Sequence, residues 1–503
     1  MHENCGIAAV SKNEKGVIHD LLGMLIQQQH RGQLSAGVST YNSERQQLLD
    51  TYKNLGLVNE AFKFRYSTEF NKIVERYDGT KGIGHVRYAT SGANDVGAAQ
   101  PFERHHGRIW KWFSFAFNGN IANFSELKEE LAREQYRLVR NLDTELIMHF
   151  IAKEFIGTLR RPLEEVFASL SRVLDGAYNI AFINAANQLA VIRDPLGFKP
   201  LSFIVDGNNL FAASESVALT HYEKKIKSLK PGEMLIVENE SVERKRFAKS
   251  KRKAVCMFEF VYFAHPISEI DNISIYNARW RLGKELAKRE SLKPDKNTIV
   301  VPVPDTAKPA ATSYALEIGA EFKEGLIRNK YIGRTFIEGT NRTALVREKY
   351  SFNKRILKGK NVILIDDSIV RGTTTKEIVK IIKEKCKAKS VHLRISCPPI
   401  VAPCFYGIDM TTLGELLMPN YVDPENAIEI SEKTFEKIAK ELSADSLIYQ
   451  SIEGLVDAIK IPKRELCLAC LTGDYPTPCG RRLFKKALEN FHNNSVTVKR
   501  TYE

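Results

Sequence analysis

Apolar residues fall along this 503-residue chain in two rhythms. In the first half they form short runs broken by Gly, Asn and Asp: Gly6–Val10, Gly82–Val86, Phe115–Phe117, Ala177–Ile183 and Gln188–Ile192. Runs of that length predict strands. Helical spacing recurs over Ile18–Gln29, over Phe124–Ala132 behind a capping-type Asn123, and over Thr144–Phe155. Strands and helices come in blocks rather than strict alternation, which predicts an α+β layered domain. Val237–Lys253 is dense in charge and poor in large apolar side chains, and reads as a surface strand end and linker. A domain boundary is placed near Ala254.

The second half alternates. Thr298–Val303 is a near-continuous apolar strand ending in Pro304-Asp305, followed by a helical stretch over Ala307–Ile318. Asn361–Ile365 repeats the pattern, with a loop over Asp366–Thr375, a helix over Lys376–Lys385 and a further strand over Ser390–Ile395. Fully apolar strands alternating with helices predict an α/β domain with a parallel, doubly wound sheet. From Ser431 the chain reads as alternating helix and loop up to a basic tail.

Composition sharpens this picture in three ways. With 43% hydrophobic and 27% charged residues the chain is too apolar for disorder, and it is too long for one core, so two or three globular domains are expected. No apolar run approaches the roughly 20 residues that span a bilayer, and no basic segment leads into a long apolar one at the start. The expected location is therefore cytoplasmic, without a membrane association. Lys plus Arg is 74 against 60 for Asp plus Glu, a formal charge of +14. That calls for an anionic partner: nucleic acid, a phosphorylated metabolite or an acidic membrane surface. There are eight cysteines. A reducing compartment argues against disulfides, and their uneven placement points to one reactive thiol and a metal or cluster site.

The strongest chemical signal is Ile365–Thr375, IDDSIVRGTTT. In open parallel sheets ligands bind beyond the carboxyl ends of the strands, and this segment runs from such an end into a helix. Its backbone N–H groups, with the hydroxyls of Ser368, Thr373, Thr374 and Thr375, can cradle a phosphate. Arg371 adds charge and Gly372 lets the backbone approach closely. The pair Asp366–Asp367 is placed to hydrogen-bond ribose hydroxyls or to help hold Mg²⁺. An acidic turn between strand and helix would explain a lone Asp-Asp, but not eleven residues of this composition.

This loop resembles the phosphoribosylpyrophosphate (PRPP) site of the type I phosphoribosyltransferases. Val301–Ala311 and Arg328–Ile337 narrow the resemblance to the glutamine PRPP amidotransferases, over about residues 5–480. The resemblance implies a loop around Lys330–Phe336 that closes over PRPP, with Lys330 and Arg334 suited to pyrophosphate and Gly333 as a hinge. It also implies Mg²⁺ positions at Thr306, Asp366 and Asp367.

Cys5-Gly6-Ile7 resembles the N-terminal-nucleophile glutaminases, in which processing makes the cysteine residue one. A free α-amine titrates near 7.7–8.0, so it can serve as the base for its own thiol. Here this requires removal of Met1–Asn4 as a propeptide. Gly84–Thr90 resembles the segment whose arginine, Arg87, grips the glutamine carboxylate. Asn118-Gly119-Asn120 matches the oxyanion hole, with the Asn118 side chain and Gly119 N–H as donors. Asp143 matches the carboxylate that takes the glutamine ammonium. Gln29–Gly37 (QHRGQLSAG) and Arg193–Pro200 (RDPLGFKP) complete the pattern.

Cys467 and Cys470 form a CxxC that alone fits a redox pair, a zinc half-site or a cluster half-site. The resemblance implies the iron–sulfur branch of the family, with a structural [4Fe–4S] cluster on Cys256, Cys404, Cys467 and Cys470; zinc on the same thiolates competes with it. Cys386, Cys397 and Cys479 read as packing or incidental thiols.

The resemblance implies an N-terminal-nucleophile glutaminase domain of layered α/β/β/α type over 5–250, a phosphoribosyltransferase domain over 251–460, and a cluster-binding segment with basic tail over 461–503. The implied reaction converts PRPP, glutamine and water to 5-phosphoribosylamine, glutamate and pyrophosphate, the opening step of purine biosynthesis. A homo-oligomer, dimer or tetramer, inhibited by purine nucleotides is implied as well; nucleic acid is not expected as a partner. Alternatives at this stage are an amidotransferase acting on another sugar phosphate, a paralogue with altered regulation, and a non-catalytic PRPP- or purine-responsive regulator. The chain departs from the family pattern at Leu34, where an acid is usual after HRGQ, in the segment after Ile337, and in its charge.

Overall fold

The computed structural model describes residues 5–88, 95–329, 346, 348–410, 412–425 and 430–493. The first half is built on two antiparallel sheets. The seven-stranded sheet runs Lys227–Ser228, Ser202–Asp206, Asn209–Ala213, Gly6–Ser11, Lys81–Arg87, Ser35–Tyr41, Leu49–Leu55. The six-stranded sheet runs Ser241–Arg246, Glu233–Glu238, Leu189–Arg193, Gly176–Asn184, Phe113–Ile121, Phe102–Arg104. Strand alternation explains why both stay buried. Ile7 and Ala9 point inward to meet Ala116, Ala181, Ile183 and Val191 of the other sheet. Ala8 and Val10 point outward, under the helix Val17–Gln27. On the far side Phe113, Phe115, Phe117, Ile180 and Phe182 lie under the helices Phe124–Arg133, Asp143–Glu154 and Leu163–Val173. The order helix, sheet, sheet, helix is the expected layered domain.

The second half is a five-stranded parallel sheet in the order Glu321–Phe322, Thr298–Pro302, Asn361–Asp366, Ser390–Ile395, Ser446–Tyr449. Val301 and Leu364 face one side and Val300 and Ile363 the other, so each strand is apolar on both faces. The helices Ile275–Ala287 and Lys308–Ile318 pack closely: a side chain at Gly283 would run into the carbonyl of Ala310. Among the described residues no helix is long and apolar enough to cross a membrane.

Four local expectations change. Ser241–Arg246, inside the segment read as a surface strand end and linker, is a full edge strand paired with Glu233–Glu238. Its cations fall on Glu233, which takes both Arg244 and Arg246, and charge on an edge strand is how sheets avoid further pairing. Ser446–Tyr449, read within a helix-and-loop region, is the fifth parallel strand. The helix after the acidic loop starts at Thr373, not Lys376, and runs to Lys380, where a five-residue π-helical turn, Ile381–Lys385, continues it. Asn123 holds the N-cap position of its helix but its side chain makes no cap hydrogen bond; the carboxamide donates to Val173 O at 2.9 Å and accepts from Asp175 N–H at 3.0 Å.

Candidate functional site

Cys5 precedes the strand Gly6–Ser11, whose antiparallel pairing with Lys81–Arg87 matches Gly6 to Val86 and so sets Arg87 beside Cys5. The Cys5 Sγ lies 4.0 Å from the carbonyl of Tyr88. Asn118 comes from the other sheet and is brought over by Ser214: the Ser214 hydroxyl accepts from Ile7 N–H at 3.0 Å and from Asn118 Nδ2 at 3.1 Å. Phe117 N–H donates to Gln100 Oε1 at 2.7 Å, on the edge away from the neighbouring strand. By strand alternation the N–H of Gly119 points to that same open edge. No side chain fits at Gly119, because a Cβ there would lie 1.9 Å from the carbonyl of Ala177. Asp143 opens the helix Asp143–Glu154, and its neighbour Thr144 takes the other end of Gln100 at 3.3 Å. Strand pairing thus sets Arg87 beside Cys5, Ser214 links Asn118 to the Cys5 strand, and Asp143 is joined to the Asn118 strand through Thr144 and Gln100.

Two further groups frame it. Arg31 is fully buried; its Nε donates to the carbonyl of Cys5 at 3.4 Å, and its Nη1 to Glu215. Burial works against the charge of Arg31, but Glu259 and Glu215 outweigh it and hold the guanidinium above its ordinary range. His85 is the nearby imidazole, and burial pushes it down to about 3. It is a neutral ring hydrogen-bonded to the Phe117 carbonyl at 3.1 Å, tied up as a strut rather than poised as a base.

The second centre lies at the carboxyl ends of two adjacent parallel strands, matched Pro302 to Ile365. Thr306 follows one strand and Asp366–Asp367 end the other. Both carboxyls are buried, 8% and 7% exposed. Burial, and for Asp366 the neighbouring Asp367, pushes Asp366 well above the carboxylate range; burial pushes Asp367 up to about 6. Ser368 Oγ donates to Asp367 at 2.6 Å. Two desolvated adjacent carboxyls suit a divalent cation. Gly372 sits at φ +76° just before the helix, so the turn presents its N–H groups with Thr373 and Thr374 exposed, while Thr375 is buried at 4% exposure. Arg371 is ion-paired with Glu415 at 2.9 Å. Lys330 and Arg334 lie outside the described residues, as do Met1–Asn4.

The four cysteines are drawn together by backbone pairing. Cys256 and Cys467 are matched across a short parallel pair, Val255–Cys256 with Leu466–Cys467. The Cys470 carbonyl accepts from Val401 and Ala402, just ahead of Cys404. No disulfide joins them. Burial, and then neighbouring thiols of the set, push Cys404 up to about 12 and Cys467 and Cys470 well above the thiol range. Among the described residues, no three His, Cys, Asp or Glu side chains are grouped so as to hold a metal ion.

Ser214, Glu215 and Glu259 were not singled out in the sequence. Nothing local marks them; the contacts that tie them to Asn118 and Arg31 span 96 to 228 residues.

A glutamine amidotransferase domain model matches residues 85–221, and a phosphoribosyl transferase domain model matches residues 269–399. The amidophosphoribosyltransferase of Methanothermobacter thermautotrophicus is 38% identical over 491 residues, 95% of each chain. That of Methanocaldococcus jannaschii is 39% identical over 94% of this chain and 98% of its own. That of Bacillus subtilis is 36% identical over 95% of each. Among solved structures, glutamine PRPP amidotransferase from B. subtilis complexed with ADP and GMP superposes with a TM-score of 0.81 at 33% identity, over 94% of this chain and 98% of that one. A structure described as the allosteric regulatory enzyme of purine biosynthesis gives 0.82 at 34% identity, over 94% and 97%.

Proposed function

Because the chain belongs to the amidophosphoribosyltransferase family, we propose that its two centres divide one reaction, converting PRPP, glutamine and water to 5-phosphoribosylamine, glutamate and pyrophosphate at the start of purine biosynthesis. One observation carries this reading: a single chain holds Cys5 with Arg87 and Asn118 at the end of one fold, and the desolvated Asp366–Asp367 pair with a phosphate-cradling turn in the other. A buried seam joins them, in which Asn120 Nδ2 donates to the Phe405 carbonyl at 2.9 Å and Phe198 stacks on Tyr406.

At the first centre Arg87 takes the glutamine carboxylate and Asp143 its ammonium. The Cys5 thiol attacks the amide carbon while its proton passes to the α-amine exposed by removal of Met1–Asn4. Asn118 Nδ2 and Gly119 N–H bind the oxyanion. Ammonia leaves, and water cleaves the thioester to glutamate. Ammonia crosses the seam away from bulk water, where it would protonate. At the second centre it forms the C1–N bond of the ribose as pyrophosphate leaves. The turn from Ser368 to Thr375 holds phosphate, and Thr306, Asp366 and Asp367 would hold magnesium, which when bound neutralises the pyrophosphate oxygens. Lys330 and Arg334 are assigned to pyrophosphate on sequence alone. In the same reading the protein is a cytoplasmic homo-oligomer inhibited by purine nucleotides.

The test is stoichiometric. With PRPP and glutamine, purified protein should release glutamate and pyrophosphate one to one, from a chain whose mass and N-terminal sequence begin at Cys5. Active enzyme retaining Met1–Asn4 would rule out the α-amine mechanism.

Cys256, Cys404, Cys467 and Cys470 are proposed as ligands of a [4Fe–4S] cluster, supported by the Cys256–Cys467 register and by the backbone hydrogen bonds that hold Cys470 against the segment leading to Cys404. Zinc on the same four thiolates is the competing assignment. Protein purified without oxygen should carry about four iron and four sulfide per chain. Cys404→Ser should lose both and melt at lower temperature, since site formation and folding are coupled. One zinc and no iron per chain would overturn the assignment.

A further inference from the structure

We propose that Glu259, contributed by the phosphoribosyltransferase half, is a positioning residue of the glutaminase centre: through Arg31 it fixes the backbone of Cys5. This rests on the reading of Cys5 as the nucleophile. Arg31 lies in the turn after the helix Val17–Gln27, and its planar fork is divided between three partners. Nη2 donates to Glu259 Oε1 at 2.9 Å and Nη1 to Glu259 Oε2 at 3.1 Å, a bidentate grip. Nη1 also reaches Glu215, and Nε reaches the carbonyl of Cys5 at 3.4 Å. The side chains of Arg31, Glu215 and Glu259 are all 0% exposed. Lys199 Nζ stands 3.6 Å from Glu259, and His30 pairs with Glu215 at 2.8 Å. Two buried carboxylates are thus met by two buried cations and an imidazole.

A buried ion pair between two domains could be glue alone. Two features exceed that. The guanidinium ends on the nucleophile's own carbonyl, so any rotation of Arg31 moves the peptide that carries the thiol. Glu259 also opens a five-residue π-helical turn, Glu259–Phe263, of the kind that recurs at functional sites. That turn is clamped from its other side. Buried Arg279 donates to the carbonyls of Phe260 and Ala264 at 2.9 and 2.8 Å. Among acidic groups Asp367 acts most strongly on Arg279. The carboxylate that aims Arg31 is therefore mounted on a segment tied down by two buried hydrogen bonds. An arginine must be held in this way because a fork with one lost partner realigns, and a misplacement of about 1 Å in a catalytic group costs roughly 10²-fold.

The full-length enzyme tests this. Glu259→Gln should lower kcat for glutamine hydrolysis by about tenfold or more while the glutamine KM stays within about threefold, because Arg87 and Asp143 bind the substrate independently of Glu259. Phosphoribosylamine synthesis from ammonia should stay within about twofold. Arg31→Lys, which keeps the buried charge but loses the fork, should give the same split. In Arg31→Lys/Glu259→Gln the two losses should not add, the double variant being no slower than the slower single one. Unchanged glutamine kcat, additive losses, or equal falls in both activities would each overturn the proposal, the last marking a purely structural pair. Cys5→Ala in parallel separates the two readings: if it still hydrolyses glutamine, the assignment of the nucleophile fails, whatever Glu259 does.

Discussion

Cys5→Ala should abolish glutamine-dependent synthesis, by on the order of 10⁴-fold, and leave synthesis from added ammonia within about twofold of the native rate. The size follows from what remains. On the proposed reading Arg87, Asp143, Asn118 and Gly119 would still bind glutamine and polarise its amide, but the proposed nucleophile would be gone. His85 is neutral, buried and hydrogen-bonded to the Phe117 carbonyl, and a water beside the α-amine, which the variant keeps, is a far weaker nucleophile than a thiolate. The selectivity follows from the separation of the folds. Cys5 leads into an antiparallel sheet, whereas Asp366 and Asp367 end a parallel strand in another. Steady-state assays with each nitrogen source on one preparation measure both rates. Survival of the glutamine-dependent rate would remove Cys5 as nucleophile, and loss of both rates would mean that the two centres are one.

What the sequence made legible was local. Gly6–Val10 and Thr298–Val303 carry their strand character in a few consecutive apolar residues. The loop Asp366–Thr375 carries its chemistry in ten adjacent residues. Ser446–Tyr449 is only four residues long and takes its identity from pairing with Ser390–Ile395, which no local rhythm records. Ser241–Arg246 has no apolar alternation, and its strand is set by a partner and by the carboxylate of Glu233. The same limit applies at the first centre. Cys5, Arg87, Asn118 and Asp143 sit within recognisable motifs. Ser214 and Glu259 do not; they matter only because the fold brings them to residues far along the chain. Arg31 lay inside the noted segment QHRGQLSAG, yet its task becomes apparent only with Cys5, Glu215 and Glu259 around it. Groups that touch substrate are marked by chemistry, and those that orient them are marked by topology.

Asp366→Asn should lower phosphoribosylamine synthesis by on the order of 10³-fold with either nitrogen source, while raising the thermal stability of the metal-free chain. The two effects share a cause. Asp366 and Asp367 are adjacent, buried and pushed up by burial, Asp366 additionally by its neighbour and Asp367 to about 6. A carboxyl whose folded value lies above its unfolded one favours the fold at low pH. That contribution is complete below the unfolded value of 3.8 and is lost as pH rises through about 6. At neutral pH the metal-free pair therefore works against folding, and replacing one member by a neutral amide of the same shape relieves it. The same replacement removes half of the charge that would hold magnesium and with it the grip on pyrophosphate. Melting curves at pH 5 and pH 7.5 without metal should show the native chain losing more stability than the variant across that interval. Added Mg²⁺ should stabilise the native chain more than the variant, because a ligand raises stability only through the state that binds it. A variant that melts lower than the native chain at pH 7.5, or that keeps its synthesis rate, would show that the pair is a structural turn and not the metal-bearing centre of the reaction.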